Sequence, residues 1–125
     1  STISFELGRS LTANCGSLIS RVLYVKPGAG ETFVILDAGM TELLRPALYH
    51  ASHRIENLDS EGPAGKYTVV GPVCETTDTF GKNIPMPETR RGDLIAIRSA
   101  GAYGEVMASG YNMRKLEPSV FSDDL

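Results

Sequence analysis

The sequence predicts a mainly β domain, a barrel or closed sandwich with short helical inserts. Three observations carry this. Short β-branched and apolar runs recur along the chain, most of them bounded by Gly or Pro. No amphipathic stripe of helical period persists for three turns. The 125 residues, 42% hydrophobic and 22% charged, suit one domain with a real core.

The elements follow in chain order. Ile3 to Leu7 alternates Ile, Ser, Phe, Glu and Leu, so it reads as a strand that Gly8 ends. Leu18 to Lys26 is rich in Val, Ile, Leu and Tyr, and Pro27-Gly28 closes it. Thr32 to Leu36 is a continuous apolar run, as in a strand buried on both faces. The linker Pro27 to Gly30 has hairpin length. A single-turn helix is expected at Pro46 to His50, with Pro at the first helical position, where its missing N–H is harmless. A shorter turn is expected from Thr41. His53 to Leu58, Lys66 to Val70 and Asp93 to Arg98 read as further strands. The turns Gly62-Pro-Ala-Gly65 and Arg91-Gly-Asp93 precede the last two. Another short helix is expected near Ala102 to Ala108. The acidic tail from Glu117 is expected to fray, with Val120 and Phe121 docking.

Composition narrows the function. The net charge is -3 and the basic residues are scattered, so no footprint for nucleic acid and no polybasic membrane patch is present. No apolar run approaches the roughly 20 residues of a membrane helix. No signal peptide is visible. The start, Ser-Thr-Ile-Ser-Phe, reads as the middle of a longer protein. Cys15 and Cys74 make no disulfide framework and are expected as free thiols of a reducing cytoplasm. His50 and His53 have no further His or Cys at metal-ligand spacing, so no metal site is expected.

Four clusters hold chemistry-bearing side chains. In Glu6-Leu7-Gly8-Arg9, the glycine permits close approach to a ligand, and Arg9 suits a carboxylate or phosphate. The alternative is a strand-end ion pair. Arg45 and Tyr49 are four apart, so a helix sets guanidinium and phenol on one face, ready for an anion. The alternative is a surface arginine packed on a ring. In Cys74-Glu75, a protonated thiol can donate a proton and a carboxylate can hold an ammonium group. The alternative is a buried cysteine beside a solvated glutamate. In Gly101-Ala-Tyr103-Gly104, two glycines set a tyrosine in a tight turn, where a phenol can meet a phosphate or a planar cofactor. The alternative is an ordinary turn with a core tyrosine.

Together these clusters resemble one family. The matching segments are Phe5-Glu-Leu-Gly-Arg-Ser10, Asp37-Ala-Gly-Met40, Arg45-Pro-Ala-Leu-Tyr49 and Val70-Gly-Pro-Val-Cys-Glu75 with Asp78. Gly92-Asp-Leu94, Gly101-Ala-Tyr-Gly104, Met107-Ala-Ser109 and Tyr111-Asn112 follow. The chain is similar over nearly its whole length to the C-terminal domain of the diaminopimelate decarboxylase family. These are fold-type III pyridoxal 5'-phosphate (PLP) enzymes, with a β domain of the alanine racemase and ornithine decarboxylase type. Leu7 stands where the family pattern has Pro.

The resemblance implies conversion of meso-2,6-diaminopimelate to L-lysine and CO2. It implies that Arg9, Arg45 and Tyr49 contact the substrate's distal carboxylate and that Glu75 binds the distal ammonium. Cys74 is implied as the catalytic proton donor. Glu6, Leu7, Gly8 and Arg9 are implied to line the cofactor phosphate, and Tyr103 to contact cofactor and substrate. It implies a homodimer whose subunits exchange Cys74 and Glu75 between active sites. The family's N-terminal (β/α)8 barrel, with its Schiff-base lysine, has no counterpart here. Residues 1–125 are thus expected to be a C-terminal β fragment, inactive alone, with residues 1–9 the last barrel strand and junction. Two other readings stand beside this one: a PLP-dependent decarboxylase of ornithine or arginine, and a non-catalytic β-barrel interaction module.

Overall fold

A computed structural model describes residues 1–125. Six strands are present: β1 (Ser17–Pro27), β2 (Thr32–Leu36), β3 (Ile55–Asn57), β4 (Ala64–Val70), β5 (Thr79–Pro87) and β6 (Leu94–Arg98). Two short helices, α1 (Arg9–Thr12) and α2 (Arg45–Tyr49), join them, with single 3-10 turns at Ala13–Cys15, Glu105–Met107, Tyr111–Met113 and Ser122–Asp124. The strands form one sheet in the order β3-β6-β1-β2-β4-β5.

The long strand β1 belongs to two regions of the sheet. Ser17 to Arg21 pair antiparallel with β6, and Val22 to Pro27 pair antiparallel with β2. Val22 faces Leu36 while Tyr24 faces Ile35, so Leu23 is an extra residue. Such a bulge bends the strand and sharpens its twist. The bend curls the sheet until its two ends approach each other. A Cβ on Gly81 of β5 would lie 3.7 Å from Ile55 Cδ1 of β3. The result is a nearly closed barrel, as the sequence predicted.

The inward faces fill this barrel. Val22, Val34, Leu36, Leu43, Ile55, Val69, Phe80, Met86, Ile95 and Ile97 form one buried cluster. Burying each aliphatic side chain of this kind stabilises the fold by about 1.5–3 kcal/mol before entropy is counted. β2 and β4 run parallel, unlike every other pair. Their connection, residues 37–63, is therefore a long crossover, and it carries a turn at 37–42, α2 and β3.

The sequence-based elements fare unevenly. The expected strand over Ile3 to Leu7 is absent, for residues 1–8 carry no regular structure. The segment has the right alternation but no ladder partner in this chain, and Gly8 turns it into α1 rather than a second strand. No strand is expected from the sequence over residues 79–87, where Gly81, Asn83, Pro85 and Pro87 disfavour one, yet β5 forms there. It tolerates them as an end strand, where missing N–H groups break no second ladder. Asn83 sits at φ 53, where β4 and β5 slip register. Val120 and Phe121 do not dock, remaining 69% and 67% exposed.

Candidate functional site

The residues of interest gather in two places. The first is a cleft of about 780 Å³ lined by Glu6, Leu7, Gly8 and Arg9 on one side and by Arg45, Tyr49 and His53 on another. A close backbone crossing brings the first side in. Gly101 N donates to Ala13 O at 3.0 Å and Ala100 N to Gly16 O at 2.9 Å. A Cβ on Gly101 would stand 2.1 Å from Thr12 O, and one on Gly16 2.6 Å from Gly101 Cα. Only glycines allow two chains this near. The crossing sets the Glu6–Arg9 segment against the Gly101–Gly104 turn, where a Cβ on Gly8 would lie 3.4 Å from Tyr103 Oη.

Tyr103 occupies the left-handed region at φ 61. A non-glycine residue there carries strain of about 1–3 kcal/mol, and such strain clusters at functional sites. The side chain is half exposed, so it is not a core tyrosine. The Arg45 guanidinium lies 5.6 Å from the Tyr49 ring centroid and 6.0 Å from that of Tyr103. These three residues and Met107 enclose a smaller pocket of about 290 Å³. Helix α2 makes this possible: Pro46 starts it, and His50 ends it at φ 54, its N–H bonding Arg45 O. Arg45 has no ion pair, and neither has Arg9 or Glu6. The alternative, a strand-end Glu6–Arg9 ion pair, is thus not formed. His53 Nδ1–H donates to Arg98 O at 2.9 Å in the cleft wall, a structural place for a residue first weighed as a metal ligand.

The second place is the loop 71–78. Cys74 and Glu75 line neither pocket and are both exposed, which excludes the buried-cysteine reading. The two cysteines are free thiols. Asp78, 3% exposed, holds this loop from beneath. Its Oδ1 accepts from Met40 N at 2.6 Å and its Oδ2 from Val73 N at 2.8 Å. Burial raises its pKa above the usual carboxylate value, and the two N–H donors oppose that rise. A Cβ on Gly71 would overlap the carboxylate at 2.3 Å, so glycine is required there. Asp78, named in the sequence only as part of a matching segment, is the loop's scaffold.

Above the loop, Tyr111 Oη donates to Glu75 Oε1 at 2.5 Å. That hydrogen bond, then the carboxylate's charge, raises the phenol's pKa. No periodicity or spacing links Tyr111 to Glu75. The signal in the sequence was the Tyr111-Asn112 pair among the matching segments, with no role attached.

Comparison with known proteins agrees with this architecture. Residues 10–101 match the pyridoxal-dependent decarboxylase, C-terminal sheet domain. The chain is 61% identical over 124 residues to the diaminopimelate decarboxylase of Bacteroides thetaiotaomicron, covering 99% of this chain and 32% of that protein. It is 52% identical over 115 residues to that of Helicobacter pylori, covering 90% and 28%. Among solved structures, a Helicobacter pylori diaminopimelate decarboxylase complexed with L-lysine aligns with TM-score 0.79 and 51% identity, over 86% of this chain and 26% of that one. The diaminopimelate decarboxylase of M. jannaschii aligns with TM-score 0.84 and 38% identity, over 86% and 25%. The chain therefore spans less than a third of the length of these relatives.

Proposed function

The chain belongs to the pyridoxal-dependent decarboxylases, as their C-terminal sheet domain, and from that premise we propose that it is part of a diaminopimelate decarboxylase. The reaction takes meso-2,6-diaminopimelate to L-lysine and CO2. The observation that carries the substrate assignment is Arg45, an unpaired guanidinium between two tyrosine rings at the cleft. Diaminopimelate keeps an intact amino-acid group at its far end after the near carboxylate leaves. Arg45, Tyr49 and Arg9 suit that distal carboxylate, and Glu75 suits the distal ammonium. Ornithine has no distal carboxylate to occupy Arg45.

PLP, when bound, supplies the electron sink for loss of CO2. The residues present fit one edge of it. Glu6, Leu7, Gly8 and Arg9 offer backbone and a free guanidinium to its phosphate, and the Tyr103 hydroxyl lies at Gly8. No lysine lines the cleft, so the group that holds the cofactor's aldehyde belongs to another part of the enzyme. An N-terminal barrel domain packed on the Glu6–Arg9 side answers this need. Ile3, Phe5, Leu7 and Leu11, all largely exposed, give that domain an apolar seat.

Cys74 and Glu75 stand outside the cleft of their own chain, which supports a homodimer in which each subunit completes the other's site. The C–C bond to the near carboxylate breaks and CO2 leaves. The same carbon then takes the proton of the Cys74 thiol, and solvent restores that proton. Free thiols suit the reducing cytoplasm, where we place the enzyme.

The test uses the full-length, PLP-loaded enzyme. We expect lysine from diaminopimelate, with kcat/KM far above that for ornithine or arginine. Cys74→Ala should lower kcat by about 10²-fold or more while KM stays near its parent value. Faster turnover of ornithine overturns the substrate assignment, and equal losses in kcat and binding in Cys74→Ala overturn the proton-donor role.

A further inference from the structure

The hydrogen bond between Tyr111 and Glu75 is unusual for a surface pair. Exposed side chains rarely hold one geometry unless something else fixes them. Both ends of the Tyr111 strap are fixed. On one side, Ser109 N donates to Thr41 O at 2.9 Å. On the other, Arg114 Nε donates to Thr41 Oγ1 at 3.0 Å and to Glu42 Oε1 at 3.2 Å, and its Nη2 donates to Asp37 O. Between these anchors Asn112 and Met113 adopt φ 60 and 59, so the strap turns tightly.

The same platform carries the other partner. Met40 N, one residue before Thr41, donates to Asp78, and Asp78 sets the loop that bears Glu75. The platform is itself tied to β1, where Ser20 Oγ and Arg21 N donate to Asp37 Oδ1 at 2.5 and 2.8 Å. Tyr111 and Glu75 are thus two arms of one turn, residues 37–42. Their meeting is dictated by the fold and not by chance packing of free side chains.

We infer that Tyr111 is a positioning residue for Glu75, holding one carboxylate oxygen so that the other, Oε2, faces the substrate's distal ammonium group. The inference rests on the assignment of Glu75 given above. A phenol suits the task. It donates one hydrogen bond, adds no charge to compete with the ammonium, and stays protonated beside the carboxylate. Lysine or arginine in its place would neutralise Glu75 and weaken the cation site.

L-lysine gives a readout apart from turnover, because its α-amino acid group is the untouched end of diaminopimelate. In the full-length PLP-loaded enzyme, Tyr111→Phe should weaken L-lysine binding by about tenfold in calorimetry, the scale of one hydrogen bond to a charged group. KM for diaminopimelate should rise in step, with kcat within about threefold of the parent. Glu75→Gln should also weaken binding, and the double variant should be no weaker than Glu75→Gln alone. Additive losses, or an unchanged Kd in Tyr111→Phe, overturn the inference and leave the role of Glu75 standing. An unchanged Kd in Glu75→Gln overturns the assignment of Glu75, and the inference falls with it.

Discussion

The Cys74–Glu75 loop is fixed from beneath by a buried carboxylate and from above by a phenol, whereas Arg9 and Arg45 at the cleft have no ion-pair partner. Both regions are rich in polar groups at the surface. In the loop, the N–H groups of Gly71, Val73 and Asp78 are bonded within the chain, so the frame that carries Cys74 and Glu75 exists before any ligand arrives. At the cleft, Arg45 lies beside the Tyr49 and Tyr103 rings, and neither it nor Arg9 has an ion pair. The difference separates a preorganised arm from a receptive surface. On the proposed assignment, the loop that would deliver the proton is held in place, while the cations that would receive an anion are left unpaired.

The largest test of that contrast strikes the scaffold. Asp78→Ala orphans the buried N–H groups of Met40 and Val73, at about 1–3 kcal/mol each. The urea midpoint should fall accordingly, and the full-length enzyme should lose activity with it. A variant of parental stability would show that the loop holds itself. Arg45→Ala should do the reverse. With no ion pair to break, it should leave the free energy of urea unfolding within about 0.5 kcal/mol of parent while KM for diaminopimelate rises steeply. A clear loss of stability with unchanged KM would make Arg45 structural.

The smallest expected effect is electrostatic and lies on the outer ladder. Glu56 accepts from Arg98 Nε at 2.5 Å and pairs with Arg54, and its pKa is lowered, first by the Arg98 hydrogen bond. A depressed folded-state pKa gives stability that is present above the unfolded value near 4.5 and lost as pH falls through the folded one. The gap in Tm between the parent and Glu56→Gln should therefore close as pH drops below that value, and shrink in high salt. A gap that persists at low pH would locate the pair's effect in packing. Against Asp78, whose burial moves its pKa the other way, this exposed pair is the reference for what surface charge alone contributes.

Much of the fold was legible because hydrophobic period and punctuation agree in β1, β2, β4 and β6. β5 was not, because Pro85 and Pro87 are tolerable only on a strand with one neighbour, and neighbours are a tertiary fact. Ile3 to Leu7 shows the converse: alternation without a partner makes no strand. In the site, Arg45 and Tyr49 were readable from four-residue spacing, since both lie on one helical turn. Asp78 and Tyr111 were not, because their roles depend on a turn 38 residues before the one and on a carboxylate 36 residues before the other.

The Gly16–Gly101 crossing has a consequence in time. The β1–β2 and β4–β5 hairpins close short loops, while β6 must return across most of the chain to pair with β1. Contacts of long sequence separation meet a larger loop-closure entropy and tend to form late. The crossing lies just beyond the β1–β6 pairing, where Gly8 comes beside Tyr103. The cleft therefore waits on the β1–β6 pairing. A chain caught before β6 returns would own its β1–β2 and β4–β5 hairpins, yet would lack the Ile95 and Ile97 layer of its core, the Tyr111 strap over Glu75 and the cleft together, so one late pairing completes all three.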